Sequence, residues 1–300
     1  MKKFIVRVLI FFAVVALIDV AFGYACCYLN SHAKGGDTQN HYYIAKECDK
    51  DILIFGSSRC MHHYVPKIIE DTLGMSCYNC GVNGNGIVYL YSRLLWMTER
   101  YTPKVLVYDI QSGFDVAEGD NTKYLGWQKR FYDEPGVSDV FSMVNKFEII
   151  KMYSQLYRYN ESFVQMIMDN IHPVQDVEYG GYRPHHSVMT YKPQIVEPNQ
   201  ITTWDPVKKE CMLRLIGLCK DKGIRLVFAY SPSYGGVHPP CDDIVKKLAE
   251  DNNIILIDHY RDPNFCMTND YFYDSVHMND SGATAYSQTF ASELKDLLRL

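Results

Sequence analysis

Five short apolar runs punctuate the chain from residue 51 onward, each ending at small or polar residues: "DILIFG" (51–56), "MSCYNC" (75–80), "KVLVYDI" (104–110), "IRLVFAY" (224–230) and "IILIDH" (254–259). Most are rich in Ile, Val and Leu, and all are too short for a helix, so they predict strands buried on both faces. The stretches between them have helical spacing. Pro66 to Leu73 and Ile87 to Arg100 predict crossover helices. "WDPVKKECMLRLIGLCKDKG" carries fuller signals. Asp205 can cap, Pro206 suits the first turn, Val207, Cys211, Leu215 and Leu218 share an apolar face, and Gly223 is the stop. "CDDIVKKLAEDN" predicts another helix, and "SGATAYSQTFASELKDLLRL" a last one beginning after Asn279 or Asp280.

Strands alternating with helices predict an α/β fold: a three-layer α/β/α sandwich around a parallel, flavodoxin-like sheet. The rhythm breaks between about 114 and 201, a stretch rich in Tyr and polar residues, with helical pieces near Val140 to Tyr153 and Ser162 to Asn170. This is an insertion, either a cap over the carboxyl edge of the sheet or a helical subdomain that extends the core.

Ahead of the strands stands "FIVRVLIFFAVVALIDVAFGYACC", Phe4 to Cys27, long enough as a helix to cross a hydrocarbon core of about 30 Å. Arg7 can snorkel to the headgroups, and Asp19 is tolerable near the far end. Lys2, Lys3 and Arg7 on the short side place the amino terminus in the cytoplasm and the remainder outside it. The division of the chain is therefore a cytoplasmic tip and transmembrane signal anchor (1–28), a linker (29–49) and a catalytic domain (50–300). A cleaved signal peptide would use the faint small-residue pattern of Ala21 and Gly23, but the apolar run exceeds an ordinary signal core. Lipidation at Cys26 would need an apolar residue where Gly23 stands.

Composition narrows the function. A hydrophobic content of 47% in 300 residues suffices for a packed core. The net charge of −5 conceals +2 over the first thirty residues (Lys2, Lys3, Arg7 against Asp19) and therefore −7 over the rest, which excludes electrostatic nucleic-acid binding. Ten cysteines could oxidise outside the cytoplasm, with no pairing deducible. "CYNC" (77–80) has no second pair at zinc-finger spacing, and on a strand its two cysteines face opposite ways. His62-His63 and His185-His186 read as surface or loop histidines. No metal or cofactor is called for.

In an open α/β sheet, reactive groups gather beyond the carboxyl ends of the strands. Ser58 follows the first strand, Gly84 the second, Ser112 the third, and "YDSVHMND" the fifth. Three of these blocks, "FGSSR", "NCGVNGNG" and "DSVH", resemble in order and spacing the first, second and last blocks of the SGNH, or GDSL-like, hydrolase and acyltransferase superfamily over roughly residues 50 to 300. The resemblance implies the SGNH hydrolase fold. It makes Ser58 the nucleophile, with Ser57 in place of the family's Asp. It makes Gly84 an oxyanion donor through its N–H, His277 the base and Asp274 the residue that orients it.

The residue types suit acyl transfer through an acyl-serine. Neutral imidazole can take a serine proton, a carboxylate fixes the imidazole's tautomer, and backbone N–H groups such as that of Ser58 stabilise the tetrahedral oxygen. Where the family has Gly-x-Asn-Asp after its third strand, this chain has "DIQSGFD". The side-chain donor then falls to Ser112, Gln111, Asn83 or Asn85, with Asn85, beside Gly84, favoured. Ser57 is the competing nucleophile, Arg59 reads as structural, and Cys60 is a poor nucleophile for want of an electropositive, exposed setting. Family resemblance and topology imply an acylated carbohydrate or other cell-envelope polymer as substrate, hydrolysed or transferred. A catalytically silent scaffold of the same fold is the alternative from another class.

Overall fold

The apolar runs form β1 (Ile52–Gly56), β2 (Cys77–Asn79), β3 (Val105–Asp109), β4 (Arg225–Tyr230) and β5 (Ile255–Asp258) in the computed structural model, which describes residues 1–174 and 180–299. All neighbours pair parallel in the order β2-β1-β3-β4-β5. The helices are α1 (Lys2–Ser31), α2 (Gly36–Lys46), α3 (Ser58–His63), α4 (Pro66–Leu73), α5 (Ile87–Thr98), α6 (Ser112–Asp115) and α7 (Val137–Lys151). They continue as α8 (Gln155–Tyr159), α9 (Phe163–Ile171), α10 (Pro206–Lys222), α11 (Asp242–Asn252), α12 (Pro263–Cys266) and α13 (Asp280–Leu298).

Alternate strand residues feed two separate cores, as a period of two requires. Leu53, Phe55, Leu106, Tyr108 and Phe228 enter the layer built by α5, α10 and α11. Ile52, Ile54, Val105, Val107 and Val227 enter the layer built by α4 and α13. Cys77 and Cys80 fall in different cores. The strand order reverses at β1: the chain moves to one side for β2 and to the other for β3, which opens a crevice beyond the carboxyl ends of β1 and β3.

Local chemistry sets the helix ends. Asp205 Oδ1 accepts from the Val207 and Lys208 N–H groups at 3.0 Å each, Pro206 opens α10, and Gly223 closes it at φ 69°. Asn279 caps α13 through the Gly282 N–H at 3.0 Å.

The stretch 29–49, read as a linker, holds the end of α1 and all of α2. Its inward residues mix polar Thr38, Asn40 and His41 with apolar Ile44 and Ala45, which breaks up the hydrophobic period: Asn40 accepts from Tyr78 Oη at 2.6 Å, and His41 Nδ1 accepts from Tyr89 at 2.7 Å and Arg93 at 2.6 Å. The helical part of the insertion extends the core. Its 3-10 stretch (Asn121–Phe131) and α7 pack against α5, and α8 and α9 lie on α1. The part that reaches the crevice is the segment from 182 to 189. It is tied there by Arg183 N–H to Met61 O (3.2 Å), Asp280 N–H to His185 O (2.8 Å) and Met189 N–H to Phe272 O (2.7 Å).

Candidate active site

β1 must end in glycine. A Cβ on Gly56 would lie 2.6 Å from Cys60 Cβ and 2.9 Å from Asp109 O, so no other residue lets α3 begin so close to the end of β3. The tight turn separates two adjacent serines. Ser57 is 1% exposed, and its hydroxyl donates to Gln111 Oε1. Ser58, half-buried in the first turn of α3, meets an imidazole: its Oγ lies 2.8 Å from His277 Nε2.

The last loop folds back on itself to bring that imidazole in. Phe272 and Met278 form an antiparallel bridge, and Tyr273 N–H donates to His277 O at 2.9 Å. Inside this loop Asp274 Oδ1 accepts the Val276 and His277 N–H groups at 2.7 and 2.8 Å, an Asx-type turn. Asp274 Oδ2 lies 2.9 Å from His277 Nδ1. A carboxylate can only accept, so Nδ1 carries the ring proton and Nε2 is left to take the proton of Ser58. Burial works to raise the Asp274 pKa, but the His277 ring and the two backbone N–H groups outweigh it and hold the carboxyl below its ordinary value.

Behind the loop sits a buried polar network. His63 Nε2 accepts the Met278 N–H at 2.9 Å, so its Nδ1 donates to Ser231 Oγ at 3.0 Å. Ser231 Oγ donates to Asp109 Oδ2 at 3.2 Å and accepts from Arg59 at 3.0 Å. Asp109 also accepts from Tyr64 Oη at 2.9 Å and the Ser231 N–H at 2.8 Å. Arg59 is 3% exposed, with its guanidinium 4.8 Å from the Tyr260 ring, which is a structural placement. His63 thus fixes the residue next to His277.

His62 and His63 correct the expectation of surface or loop positions, whereas His185 and His186 lie in an irregular segment as expected. His62 and His63 are buried, and His185 is half-buried, leaving His186 alone exposed. His62 stacks on His185 at 4.0 Å, His185 on Tyr273 at 4.1 Å, and His62 meets His277 edge-on at 5.3 Å. His62 Nδ1 donates to Arg183 O at 2.7 Å. Burial lowers the His62 pKa to about 4, with His185 and His277 adding to the effect. Neutrality matters here, because a charged His62 at that distance would oppose an imidazolium on His277 by about 3 kcal/mol at an effective dielectric of about 20. Sequence reasoning missed these residues, since adjacency along the chain says nothing about stacking with a loop two hundred residues away.

Where the resemblance expects oxyanion donors, Gly84 has φ 66° with no atom within 4 Å of a built Cβ, so glycine is needed there for its backbone, not for space. The Ser58 and Gly84 N–H groups have no acceptor among the described residues. Asn85 Nδ2 donates to Asn83 O at 3.0 Å, its Oδ1 has no partner among the described residues, and it lines a small cavity with Lys123, Trp127 and Glu161. Ser112 Oγ is engaged by Cys241 Sγ at 3.3 Å. Gln111 is held differently: Ser57, adjacent to Ser58, anchors its Oε1, leaving Nε2 without a partner among the described residues. Asp115 accepts the Gln111 and Ile87 N–H groups at 2.7 and 2.8 Å, and burial raises its pKa to about 6.

All ten cysteines are free thiols, nine of them buried. Burial pushes the Cys60 thiol far up, as expected of an inert cysteine. No cluster of three metal-ligating side chains occurs among the described residues.

No family profile matches the chain, and no curated protein does. Solved structures do. A putative lipolytic protein of the G-D-S-L family from Desulfitobacterium hafniense matches at 9% identity over 81% of this chain and 98% of its own, with TM-score 0.41. The acetyl xylan esterase AlAXEase matches at 18% identity over 82% and 98%, with TM-score 0.38. A putative acylhydrolase from Bacteroides fragilis matches at 10% identity over 88% and 97%, with TM-score 0.37. What the site of this chain can do is decided by its own geometry.

Proposed function

We propose that the chain is a serine hydrolase of the SGNH type that cleaves esters through an acyl-serine. The observation that carries this reading is the unbroken chain of hydrogen bonds from Ser58 Oγ to His277 Nε2 (2.8 Å) and from His277 Nδ1 to Asp274 Oδ2 (2.9 Å). His277 takes the Ser58 proton as Oγ attacks the acyl carbonyl, then gives it to the departing alcohol; Asp274 holds the ring and steadies the imidazolium. Water, activated by the same imidazole, releases the acyl group. The N–H groups of Ser58 and Gly84 receive the tetrahedral oxygen. Gln111 Nε2 joins them as the side-chain donor, in preference to Asn85, whose amide is turned to Asn83.

The substrate class is an acylated carbohydrate or other cell-envelope polymer. Support comes from α1, whose apolar stretch reaches a mean hydropathy of 2.7 and is long enough to cross a membrane. α1 acts as an uncleaved anchor: Asp19, Cys27 and Asn30 hydrogen-bond to residues of the folded domain, which a removed signal would not do. Anchoring also favours a second reading, O-acyl transfer, in which a sugar hydroxyl intercepts the acyl-serine beside a membrane-borne donor. The assembled hydrogen-bond chain argues against a silent scaffold.

The test is labelling of the full chain by a fluorophosphonate probe. Labelling that disappears in Ser58→Ala and persists in Ser57→Ala supports the reading; an unlabelled, folded wild-type protein refutes it. Product analysis with and without a sugar acceptor separates hydrolysis from transfer.

A further inference from the structure

The outer part of α1 is not a free tether. From Phe4 to Ile18 apolar side chains are exposed all round, but beyond that one face docks onto the insertion, at Asp19, Phe22 with its neighbour Gly23, Cys26 and Asn30, successive turns of one helix face. Asp19 accepts from Ser154 Oγ at 2.9 Å and from the Gln155 and Leu156 N–H groups at 2.8 Å each, capping α8. The Phe22 ring lies 4.9 Å from that of Phe163, and a Cβ on Gly23 would strike Gln155 Cγ at 2.6 Å. Farther along, Asn170 Nδ2 donates to Leu29 O, and Arg130 to Asn30 Oδ1, at 3.0 Å each. The insertion is therefore bolted to α1 from the level of Asp19 outward.

That level lies too low on the helix for the insertion to stay clear of lipid. The residues before Asp19, from Phe4 to Ile18, rise about 22 Å at 1.5 Å each, short of a hydrocarbon core of about 30 Å, which needs about 20 residues. A span begun at Phe4 reaches the vicinity of Gly23, and one begun at Val8 reaches Cys27. Both put the contact with α8 inside the outer boundary, by roughly 6 to 12 Å.

The surface at that level is built for it. Ile150, Tyr153 and Leu156, at the corner where α7 passes into α8, are 66, 84 and 47% exposed. Val164, Met168 and Ile171 form an exposed apolar stripe on α9 at spacings of four and three, opposite the face that holds α1. Such residues cost free energy in water and gain it at the boundary of headgroups and acyl chains. Exposed Lys146 flanks the corner, where its stem can reach back to phosphates.

We propose that the α7–α8 corner and the outer stripe of α9 form a second membrane contact beside α1, seating the domain on the bilayer in one orientation. The proposal rests on α1 being an anchor. The experiment inserts the full chain into vesicles of phosphatidylcholine and phosphatidylglycerol (3:1) carrying acyl-chain-brominated lipid and follows the tryptophan emission added by Tyr153→Trp, Leu156→Trp and, as a control away from α1, Tyr191→Trp. The expected result is that brominated lipid removes more than half of the added emission for Tyr153→Trp and Leu156→Trp and almost none for Tyr191→Trp. Equal, negligible quenching at all three positions in a carbonate-resistant, membrane-inserted chain overturns the second contact and leaves the anchor standing. A chain that carbonate strips from the vesicles overturns both. Unquenched emission with a detergent-solubilised dimer assigns the face to a second copy and also overturns the proposal.

Discussion

Replacing Asp274 with Asn is expected to silence the proposed catalysis through a tautomer rather than through loss of shape. Asp274 Oδ1 accepts two backbone N–H groups, at 2.7 and 2.8 Å, and lies 3.1 Å from His277 Nδ1, while Oδ2 makes the shorter contact to that nitrogen, at 2.9 Å. In Asp274→Asn the single oxygen keeps the two backbone donors, because turning the amide would set its NH2 against both. The NH2 then occupies the Oδ2 position and faces Nδ1 as a donor. His277 must answer with a bare Nδ1 and a protonated Nε2, and a protonated Nε2 cannot accept the proton of Ser58 across 2.8 Å. The geometry survives and the base is lost. For a triad of this kind that change costs about 10⁴-fold in kcat, or about 5 kcal/mol of transition-state stabilisation. The assay is kcat and KM on a nitrophenyl acetate ester for the full chain in detergent, beside a urea unfolding curve. The expected outcome is a fall of three to four orders of magnitude in kcat, an unchanged KM and a folded protein. Activity within tenfold of wild type in a folded Asp274→Asn variant would refute the tautomer argument and the role given to Asp274.

The oxyanion assignment predicts that Gln111→Ala lowers kcat by about 10²- to 10³-fold with little change in KM, whereas Asn85→Ala stays within a few-fold; the reverse ranking in steady-state kinetics restores Asn85. Acidification should destabilise the fold through His62. Its folded pKa of about 4 lies below an unfolded value of about 6.5, so the unfolded chain takes the proton first, and up to about 3 kcal/mol present above pH 6.5 is lost as pH falls toward 4. Asp115, raised by burial to about 6, acts in the opposite direction between pH 3.8 and 6, so the effect is read as a difference: urea midpoints should fall less steeply with acid in His62→Gln than in wild type, and parallel profiles would be the contrary result. Gly56→Ala should cost about 1 to 3 kcal/mol, because the added Cβ meets Cys60 Cβ and Asp109 O below 3 Å; an unshifted thermal midpoint would show that β1 and α3 yield more easily than the packing suggests.

Strand positions, the ends of α4, α10 and α13, the apolar N-terminal helix and the nearness of Asp274 to His277 were legible from local rules. Buried parallel strands are continuous apolar runs, caps and stops act within four residues, and an Asx turn spans three. Residues whose setting comes from distant parts of the chain stayed hidden. α2 buries Thr38, Asn40 and His41 beside Ile44 and Ala45, so its hydrophobic period is broken. His62, His63 and His185 are ordinary letters until the loop around His277 folds against them. The choice between Gln111 and Asn85 depends on which amide a neighbouring hydroxyl anchors. The seating of α8 and α9 on α1 turns on Asp19, which in the sequence was merely a tolerable charge in an apolar run. Hydrophobic period and turn chemistry are short-ranged and can be read along a chain, whereas hydrogen-bond partners and desolvation are properties of neighbours in space, and only the tertiary structure supplies those.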